Sequence, residues 1–156
     1  HTMTELTQLN FPANYQIRLK KDQETTYIFC RIRKSWMVYT PEEWVRQHII
    51  FFLIDTLGYS QSSIALEVLV NQTGMRKRAD IVVYRQAKPY IMVECKRPSV
   101  QITQQTFDQI ARYNGKIGSQ FLMVSNGLNH YYCMMDYEQK RYQFLRELPK
   151  HTKATS

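Results

Sequence analysis

The middle of the chain carries two short apolar runs separated by a polar turn. Residues 81–84 and 90–95 are rich in branched and aromatic side chains, and residues 86–89 between them read Gln-Ala-Lys-Pro. Apolar runs of this length, bounded by turn residues, are typical of β-strands that pair as a hairpin. The pattern therefore predicts an antiparallel hairpin over residues 81–95.

Charged residues lie at the open end of this predicted hairpin. A turn centred on Ala87 places Asp80 opposite Glu94, and directly opposed residues have Cβ atoms roughly 4.5–5.5 Å apart. Because side chains alternate between the two faces of a strand, Lys96 shares the face of Glu94 while Cys95 points away. We expect an Asp, a Glu and a Lys to converge at one end of the hairpin.

The residues before the hairpin predict a helix and a further strand. Residues 40–43 read Thr-Pro-Glu-Glu, which is typical of a helix that begins with a Thr cap and a Pro in its first turn. The helix should end near residue 57, because Gly58 suits the position just past a helix C-terminus. Residues 63–70 are predicted to form a strand, and residues 71–74 the turn into the hairpin.

The remaining elements complete a mixed α/β pattern. Alternation near the N-terminus predicts a hairpin, with a third strand after it, and a second helix follows the central hairpin. Three further strands follow that helix, so the predicted ranges are 15–20, 26–32, 36–39, 103–113, 120–124, 130–137 and 141–145. The core order helix–β–β–β–helix–β, with a hairpin added at each end, indicates an α+β domain built on a mixed sheet.

This order suggests a single domain over residues 13–149. Residues 1–12 are expected to comprise a tag remnant and a poorly ordered start, and residues 150–156 a polar tail. The chain is 156 residues long and 44% hydrophobic, which is sufficient for a buried core. Its longest apolar run, residues 49–54, is much shorter than the roughly 20 residues of a membrane span.

Cysteine usage and the absence of a visible signal peptide predict the cellular compartment. The three cysteines, Cys30, Cys95 and Cys133, are not clustered and form no CxxC motif. This spacing argues against a zinc site or a disulfide framework and for reduced thiols. We therefore expect a cytoplasmic protein that is not associated with a membrane.

The charge distribution favours an anionic partner. The formal net charge is +8, and seven Lys or Arg residues but only two acids lie between residues 76 and 97. A basic surface of this kind suits the phosphate backbone of nucleic acid. The candidate DNA contacts are Arg76, Lys77, Arg78 and Arg97, although each of them could equally be a solvated surface charge.

The two acids inside this basic stretch are candidate metal ligands. Carboxylates as close as Asp80 and Glu94 repel each other unless a cation lies between them, and oxygen ligands suit a hard divalent cation. The pattern thus points to a metal-dependent hydrolytic site. In a simpler alternative, Lys96 and Arg78 neutralise the two acids within a structural ion-pair cluster.

These residues and their order resemble a known family. Asp80, followed fourteen positions later by Glu94-Cys95-Lys96, in helix–β–β–β–helix–β order, resembles the PD-(D/E)xK nuclease superfamily, although Ala79 stands where the motif name has Pro. Gln109 and Tyr113 match the QxxxY motif of RecB-like nucleases. The segments TPEEWVRQ, KRADIVVY, VECKRPS, TFDQIARYN and SNGLNHYY resemble the N-terminal nuclease domain of type I restriction enzyme R subunits, over residues 9–149.

The resemblance implies a restriction-endonuclease-like core and a Mg²⁺-dependent DNA endonuclease domain. By this resemblance, Asp80, Glu94 and the backbone carbonyl of Cys95 bind Mg²⁺, for which Mn²⁺ can substitute, and metal-activated water hydrolyses the phosphodiester bond. Lys96 would orient that water or stabilise the developing negative charge. The implied substrate is double-stranded DNA, and the implied partners are the motor, methylase and specificity subunits of a restriction complex.

The two predicted helices carry three further catalytic candidates, Glu43, Gln109 and Tyr113, and one secondary candidate, Gln47. By resemblance, Glu43 is a second metal ligand or a water-positioning acid, but it is also the expected partner of Thr40 in a capping box. Gln47, one turn later, could fill the polar role instead. By resemblance, Gln109 and Tyr113 are expected to support the site or contact DNA. In the alternative, Gln109 is solvated and Tyr113 packs in the core.

Two further observations bound the prediction. Glu67 lies in an apolar strand and is expected to pair with Arg78 or Lys96 rather than to bind metal. The sequence contains no GxxxxGK[ST] phosphate loop, so we expect no ATP site in this chain and no room for a translocating motor. The alternative function is a nuclease-fold module that binds DNA or partner subunits without cleaving.

Overall fold

A computed structural model describes residues 6–72 and 75–152, without the side chains of residues 71–76. Within these ranges a large mixed sheet has the strand order β4-β5-β6-β7-β8-β9. β6 and β7 are parallel, and each other neighbouring pair is antiparallel. The strands are β4 (Ile64–Gln72), β5 (Met75–Arg85), β6 (Lys88–Cys95), β7 (Phe121–Ser125), β8 (His130–Asp136) and β9 (Arg141–Leu145). The predicted α+β class with a mixed sheet is confirmed.

Helix α1 (Pro41–Phe51) begins where the sequence predicts it. The hydroxyl of Thr40 accepts a hydrogen bond from the backbone N–H of Glu43 at 3.0 Å, which satisfies one of the free N–H groups of the first turn. The helix then continues as a π-helical turn over Phe52–Thr56. Gly58 follows in the left-handed region, with φ +86, and a glycine adopts this conformation without strain.

Helix α2 (Gln104–Ile117) connects the parallel strands β6 and β7. Thr103 caps its N-terminus, and Gly118, with φ +78, ends it. The helix is longer than predicted, because residues 114–117 continue to the glycine that stops it. A helical crossover is the usual connection between parallel strands, since a tight turn cannot join them.

The two helices cover opposite faces of the sheet. Strand alternation sends one set of apolar residues toward α1 and the other set toward α2. The α1 face buries Ile49, Leu53, Ile81, Val83, Ile91 and Val93, whereas the α2 face buries Phe107, Ile110, Val82, Met92 and Leu122. Each fully buried side chain of this size stabilises the fold by about 1.5–3 kcal/mol.

A separate three-stranded sheet lies N-terminal to α1. Its strands are β1 (Leu19–Asp22), β2 (Thr25–Cys30) and β3 (Ser35–Val38), in that order. Ile28 and Cys30 are fully buried, while the guanidinium of Arg18 lies 4.5 Å from the ring centroid of Phe29. The predicted hairpin with a third strand is present, and its first two strands are shorter than expected.

The N-terminal segment is packed against the core, so the expected poor order is wrong for residues 6–12. The N–H of Asn10 donates to the carbonyl of Gly127 at 2.8 Å, and its carbonyl accepts from Nε2 of His130 at 2.5 Å. The Phe11 ring lies between those of His48 and His130, at 5.6 and 4.7 Å. Residues 1–5, where the tag remnant is expected, lie outside the described residues.

The start of the predicted polar tail is also anchored. The N–H of His151 donates to the carbonyl of Leu57 at 2.8 Å, and its ring contacts Tyr59. Residues 150–152 therefore belong to the folded domain, and residues 153–156 lie outside the described part.

Two expectations around β4 and β5 are corrected. Strand β5 begins at Met75, six residues earlier than predicted, so the basic residues 76–78 lie on the strand. Of the predicted turn 71–74, residues 73 and 74 lie outside the described part, and residues 71 and 72 belong to β4. The longer β5 pairs with β4 beyond the part of β5 that pairs with β6.

Among the helices within residues 6–72 and 75–152, none has the length and apolar character needed to cross a membrane.

Candidate active site

The β5–β6 hairpin brings Asp80 and Glu94 together. Ile81 pairs with Val93 in the antiparallel ladder, and this register places Asp80 opposite Glu94. Asp80 accepts a hydrogen bond from the backbone N–H of Cys95 at 2.7 Å, through Oδ2. The carboxylate of Asp80 is thus tied to the strand that carries Glu94.

The hairpin reaches this register by a different turn from the predicted one. Gln86 and Ala87 form a two-residue turn, and both have positive φ, 51° and 62°. Positive φ at both central positions is the mark of a type I′ turn. The turn centre lies half a residue before Ala87, and a bulge between Val83 and Tyr84 restores the predicted pairing of the upper strands.

Lys96 joins the two carboxylates on the same face. Its Nζ lies 3.5 Å from Oε2 of Glu94, as expected for side chains two positions apart on a strand. The other carboxylate oxygen of Glu94, Oε1, is buried and has no hydrogen-bond partner among the described residues. An anionic oxygen removed from water without a partner is energetically unfavourable, and a cation would relieve this.

Burial disfavours the charged forms of both acids. Desolvation raises the pKa of Asp80 to about 6, although the N–H of Cys95 opposes the shift. Desolvation, then the nearby charge of Asp80, raises the pKa of Glu94 to about 7, against the opposing charge of Lys96. Burial therefore outweighs the effect of the nearby positive groups on both acids.

Arg46 and Glu42 act on this edge from the start of α1, and sequence analysis missed both. The positive charge of Arg46 lowers the pKa of Asp80, whereas the negative charge of Glu42 raises it. Arg46 is only 8% exposed. A charged residue within the apolar face of a predicted helix is the signal that could have identified it.

Glu43 and Gln47 are brought close to each other rather than to the hairpin carboxylates. The carboxylate of Glu43 accepts hydrogen bonds from Arg46 at 2.5 and 3.0 Å and from Gln47 at 2.9 Å. Burial alone would raise the pKa of Glu43, but Arg46 holds it below its usual range. Gln47 also accepts from the N–H of Arg31. Glu43 is thus held by residues of its own helix, and Gln47 joins α1 to the backbone just after β2.

Tyr113 and Gln109 differ in their surroundings. Tyr113 is 3% exposed within the α2 cluster, and its hydroxyl is buried without a partner among the described residues. Burial, together with the charges of Glu94 and Asp80, raises the pKa of Tyr113 to about 12. Gln109 is exposed. The structure thus places Tyr113 next to the candidate site and Gln109 at the surface.

The remaining candidates lie around the site. Lys77, Arg78 and Arg97 are exposed, and the side chain of Arg76 lies outside the described part. The predicted partners of Glu67 are wrong, because its carboxylate pairs with Arg33 and lies 4.0 Å from Arg46. The Glu67 side chain therefore contacts the segment after β2 and approaches α1.

The donor set fits a hard divalent cation. Asp80 and Glu94 supply two partly buried carboxylates, and Oε1 of Glu94 has no hydrogen-bond partner among the described residues. Among the described residues, no group of three or more His, Cys, Asp or Glu is spaced for metal binding. A cation here would therefore take its other ligands from the backbone and water, a common arrangement for Mg²⁺.

Comparisons with known proteins place the chain in context. A family model described as the type I restriction enzyme R protein N terminus matches residues 41–149. A fragment structure described as a proposed HsdR subunit of a type I restriction enzyme from Vibrio vulnificus YJ016 aligns with a TM-score of 0.51 and 22% identity. The alignment covers 70% of this chain and 23% of that one, so the chain spans less than a quarter of that length. No curated protein matches the chain.

Proposed function

Because the chain belongs to the family of type I restriction enzyme R protein N termini, we propose that it is a Mg²⁺-dependent DNA endonuclease domain. It hydrolyses phosphodiester bonds at the edge formed by Asp80, Glu94 and Lys96. The domain would act on double-stranded DNA in the cytoplasm. It would work within a larger enzyme that provides the motor, methylase and specificity subunits.

One observation carries this proposal. Asp80 and Glu94 face each other across the β5–β6 ladder, and a buried carboxylate oxygen of Glu94 has no partner in the part of the chain that the structure describes. A structural ion-pair cluster would satisfy both acids, yet Lys96 lies 3.5 Å from a single oxygen of Glu94, and Arg78 is exposed. The raised pKa values of both acids likewise favour an edge that is completed by a cation.

The residues of the chain supply defined chemistry at this edge. Asp80 and Glu94 would hold the metal, and the Cys95 N–H fixes the orientation of Asp80. A bound Mg²⁺ supplies a water of lowered pKa and offsets charge on the phosphate. The Lys96 ammonium group stabilises negative charge that develops on the phosphate oxygens. Electrostatic stabilisation by a lysine requires no proton transfer, so Lys96 need not act as a base.

The test is cleavage of supercoiled plasmid with Mg²⁺ or Mn²⁺. Asp80→Asn and Glu94→Gln preserve side-chain shape but remove the ligand charge, so we expect each to lower the cleavage rate by at least about 100-fold. Lys96→Ala should lower it by a similar factor, because it removes a charge that acts in the transition state. Nicked and linear plasmid are quantified on gels over time.

Glu138→Gln is the matched control, since this exposed acid lies in the β8–β9 turn, outside the candidate site. It should cleave like the unaltered chain. Equal metal-dependent cleavage by Asp80→Asn and the unaltered chain would contradict the proposal. Salt-sensitive DNA binding without any metal-dependent cleavage would instead favour the alternative, a non-cleaving module that binds DNA within the larger enzyme.

A further inference from the structure

The β4–β5 hairpin changes face at Glu67 and Asp80. Leu66 pairs with Ile81, and both pack toward α1, whereas Val68 pairs with Ala79, and both pack toward α2. Positions two apart normally share a face. The alternation is therefore broken on both strands at the same level. The half of the hairpin that contains Val68 and Ala79 is inverted relative to the half that contains Leu66 and Ile81.

This break decides which basic side chain faces the site. Val82 packs toward α2. Strict alternation from Val82 would place Asp80 and Arg78 on the α2 face as well, and Lys77 on the opposite face. Instead, the ammonium of Lys77 lies 4.8 Å from the ring centroid of Tyr113 on α2. Arg78 pairs with Leu69, which is 40% exposed, so it lies on the other face of the hairpin.

Glu67 holds the break in place. It has φ +50, a left-handed conformation that side chains other than glycine, asparagine and aspartate rarely adopt. Its carboxylate pairs with Arg33 and lies 4.0 Å from Arg46. Two arginines on neighbouring elements thus draw the Glu67 side chain toward α1 and fix the inverted hairpin.

Lys77 is also a cation near this edge that is available to bind a further anion. Lys96 pairs with Glu94, and Arg46 pairs with Glu43. Among residues whose side chains are described, Lys77 makes no ion pair within 4.0 Å, and it is exposed while its charge acts on Glu94. An ammonium group has three N–H donors, and a contact with an aromatic ring leaves them free for an anion.

We propose that Lys77 is a substrate-binding residue that contacts a backbone phosphate of the DNA held next to Asp80 and Glu94. The Tyr113 ring supports its ammonium group, and the break at Glu67 directs it there. This inference rests on the proposed function of the site. It separates Lys77 from its neighbour Arg78, which lies on the opposite face and is expected to make a weaker, less specific contribution.

The experiment measures DNA affinity in the non-cleaving Asp80→Asn background, by fluorescence anisotropy with a short labelled duplex at several salt concentrations. We expect Lys77→Gln to weaken binding by about 10-fold and to reduce the salt slope by about one. Lys77→Arg, which keeps the charge and the ring contact, should restore affinity to within about 3-fold. Arg78→Gln and the charge-matched Lys88→Gln should each weaken binding by less than about 3-fold.

A second measurement needs no DNA. Calorimetric titration of Mn²⁺ into the unaltered chain, Lys77→Gln and Arg78→Gln should show tighter binding for Lys77→Gln alone, by about 2- to 5-fold at low salt. The reason is that a repelling charge near Glu94 has been removed. Equal effects of Lys77→Gln and Arg78→Gln in both measurements, or failure of Lys77→Arg to restore DNA affinity, would overturn the proposal.

The two proposals fail in different ways. If the unaltered chain neither cleaves DNA nor binds Mn²⁺, the proposed function is wrong, and the contrast between Lys77 and Arg78 in DNA affinity still decides the role of Lys77. If cleavage is intact but both variants bind DNA equally, only the inference about Lys77 is wrong. Because Lys77 is exposed, the variants should fold, and thermal unfolding verifies this.

Discussion

At the scale of single residues, the candidate site places two partly buried acids next to each other. Among the described residues, Asp80 accepts a hydrogen bond from the Cys95 N–H, and Glu94 has an ion pair with Lys96 and one carboxylate oxygen without a partner. A fold selected for stability alone would avoid such a group, since burial of an incompletely paired charge is unfavourable. Such an arrangement would favour a bound cation at the expense of the metal-free fold.

A stability measurement tests this trade-off. The pKa of Glu94, about 7 in the fold, lies above the usual value of about 4.3 for the unfolded chain. Stability is therefore lost as the pH rises between these two values. At pH 8 without divalent metal, Glu94→Gln should raise the free energy of unfolding by about 1–3 kcal/mol, measured by urea denaturation in EDTA.

Excess Mg²⁺ should stabilise the unaltered chain but not Glu94→Gln, because the variant lacks a charged ligand. Glu138→Gln serves again as the exposed control and should change neither value by more than about 0.5 kcal/mol. A Glu94→Gln variant that is less stable than the unaltered chain in EDTA would show that Glu94 has a structural role in the metal-free fold.

At the scale of elements, the β4–β5 hairpin and α1 are coupled through Glu67. Its carboxylate reaches Arg33 after β2 and Arg46 on α1, and Arg46 in turn pairs with Glu43. Gln47 links the same helix to the backbone of Arg31. This partly buried polar network joins the N-terminal sheet, the first helix and the β4–β5 hairpin, so the geometry of the candidate site depends on all three.

Substitution of Glu67 separates backbone strain from charge. Glu67→Gly retains the left-handed φ but loses both ion pairs, whereas Glu67→Val also places a β-branched side chain where φ is +50. Valine should therefore lower the free energy of unfolding by about 1–2 kcal/mol more than glycine does, as measured by chemical denaturation.

The same pair of variants reports on the hairpin. Glu67→Val should weaken DNA binding as Lys77→Gln does, because a regular strand would turn Lys77 away from Tyr113. Equal stability of the glycine and valine variants would mean that the left-handed backbone at residue 67 does not determine the change of face of the β4–β5 hairpin.

At the scale of the whole molecule, the segment before the first helix closes over the core. Residues 6–11 contact α1 and the β7–β8 turn through Thr7, Asn10 and Phe11. Directly before this turn, the carbonyl of Ser125 at the end of β7 accepts a hydrogen bond from the Lys96 N–H at 2.8 Å. The family match begins at residue 41, so this N-terminal addition supports the matched domain from outside its bounds.

The histidines that contact Phe11 should make this closure pH-dependent. Burial lowers the pKa of His48 and of His130, so the unfolded chain takes up these protons first as the pH falls. The stabilising contribution is complete above about pH 6.5 and is lost below it, by up to about 1.4 kcal/mol per pH unit for each histidine.

Urea denaturation at several pH values between 5 and 8 measures this contribution, because histidine ordinarily titrates within this range. A His48→Gln/His130→Gln variant should show a flatter loss of stability on the acid side than the unaltered chain does. His151→Gln, which lies outside this cluster, should keep the original profile. Parallel profiles for the unaltered chain and the double variant would contradict the assignment to these two histidines.

Local patterns in the sequence determined most of the fold. The Thr-Pro-Glu-Glu start of α1, the glycines that end both helices and the short apolar strands all act through contacts within a few residues, so they can be recognised without the tertiary structure. The opposition of Asp80 and Glu94 was also predictable, because a hairpin register depends on the turn and the alternation near it. The predicted turn centre was slightly wrong, and the bulge compensated for it.

Only the tertiary structure decided the long-range details of the candidate site. The ion pairs of Glu67, the hydrogen bond from the Arg31 N–H to Gln47 and the packing of residues 6–12 join elements that are distant in sequence. No local pattern specifies such contacts. The inverted hairpin that brings Lys77 rather than Arg78 to Tyr113 has the same origin, because two distant arginines hold a backbone conformation that alternation alone would not produce.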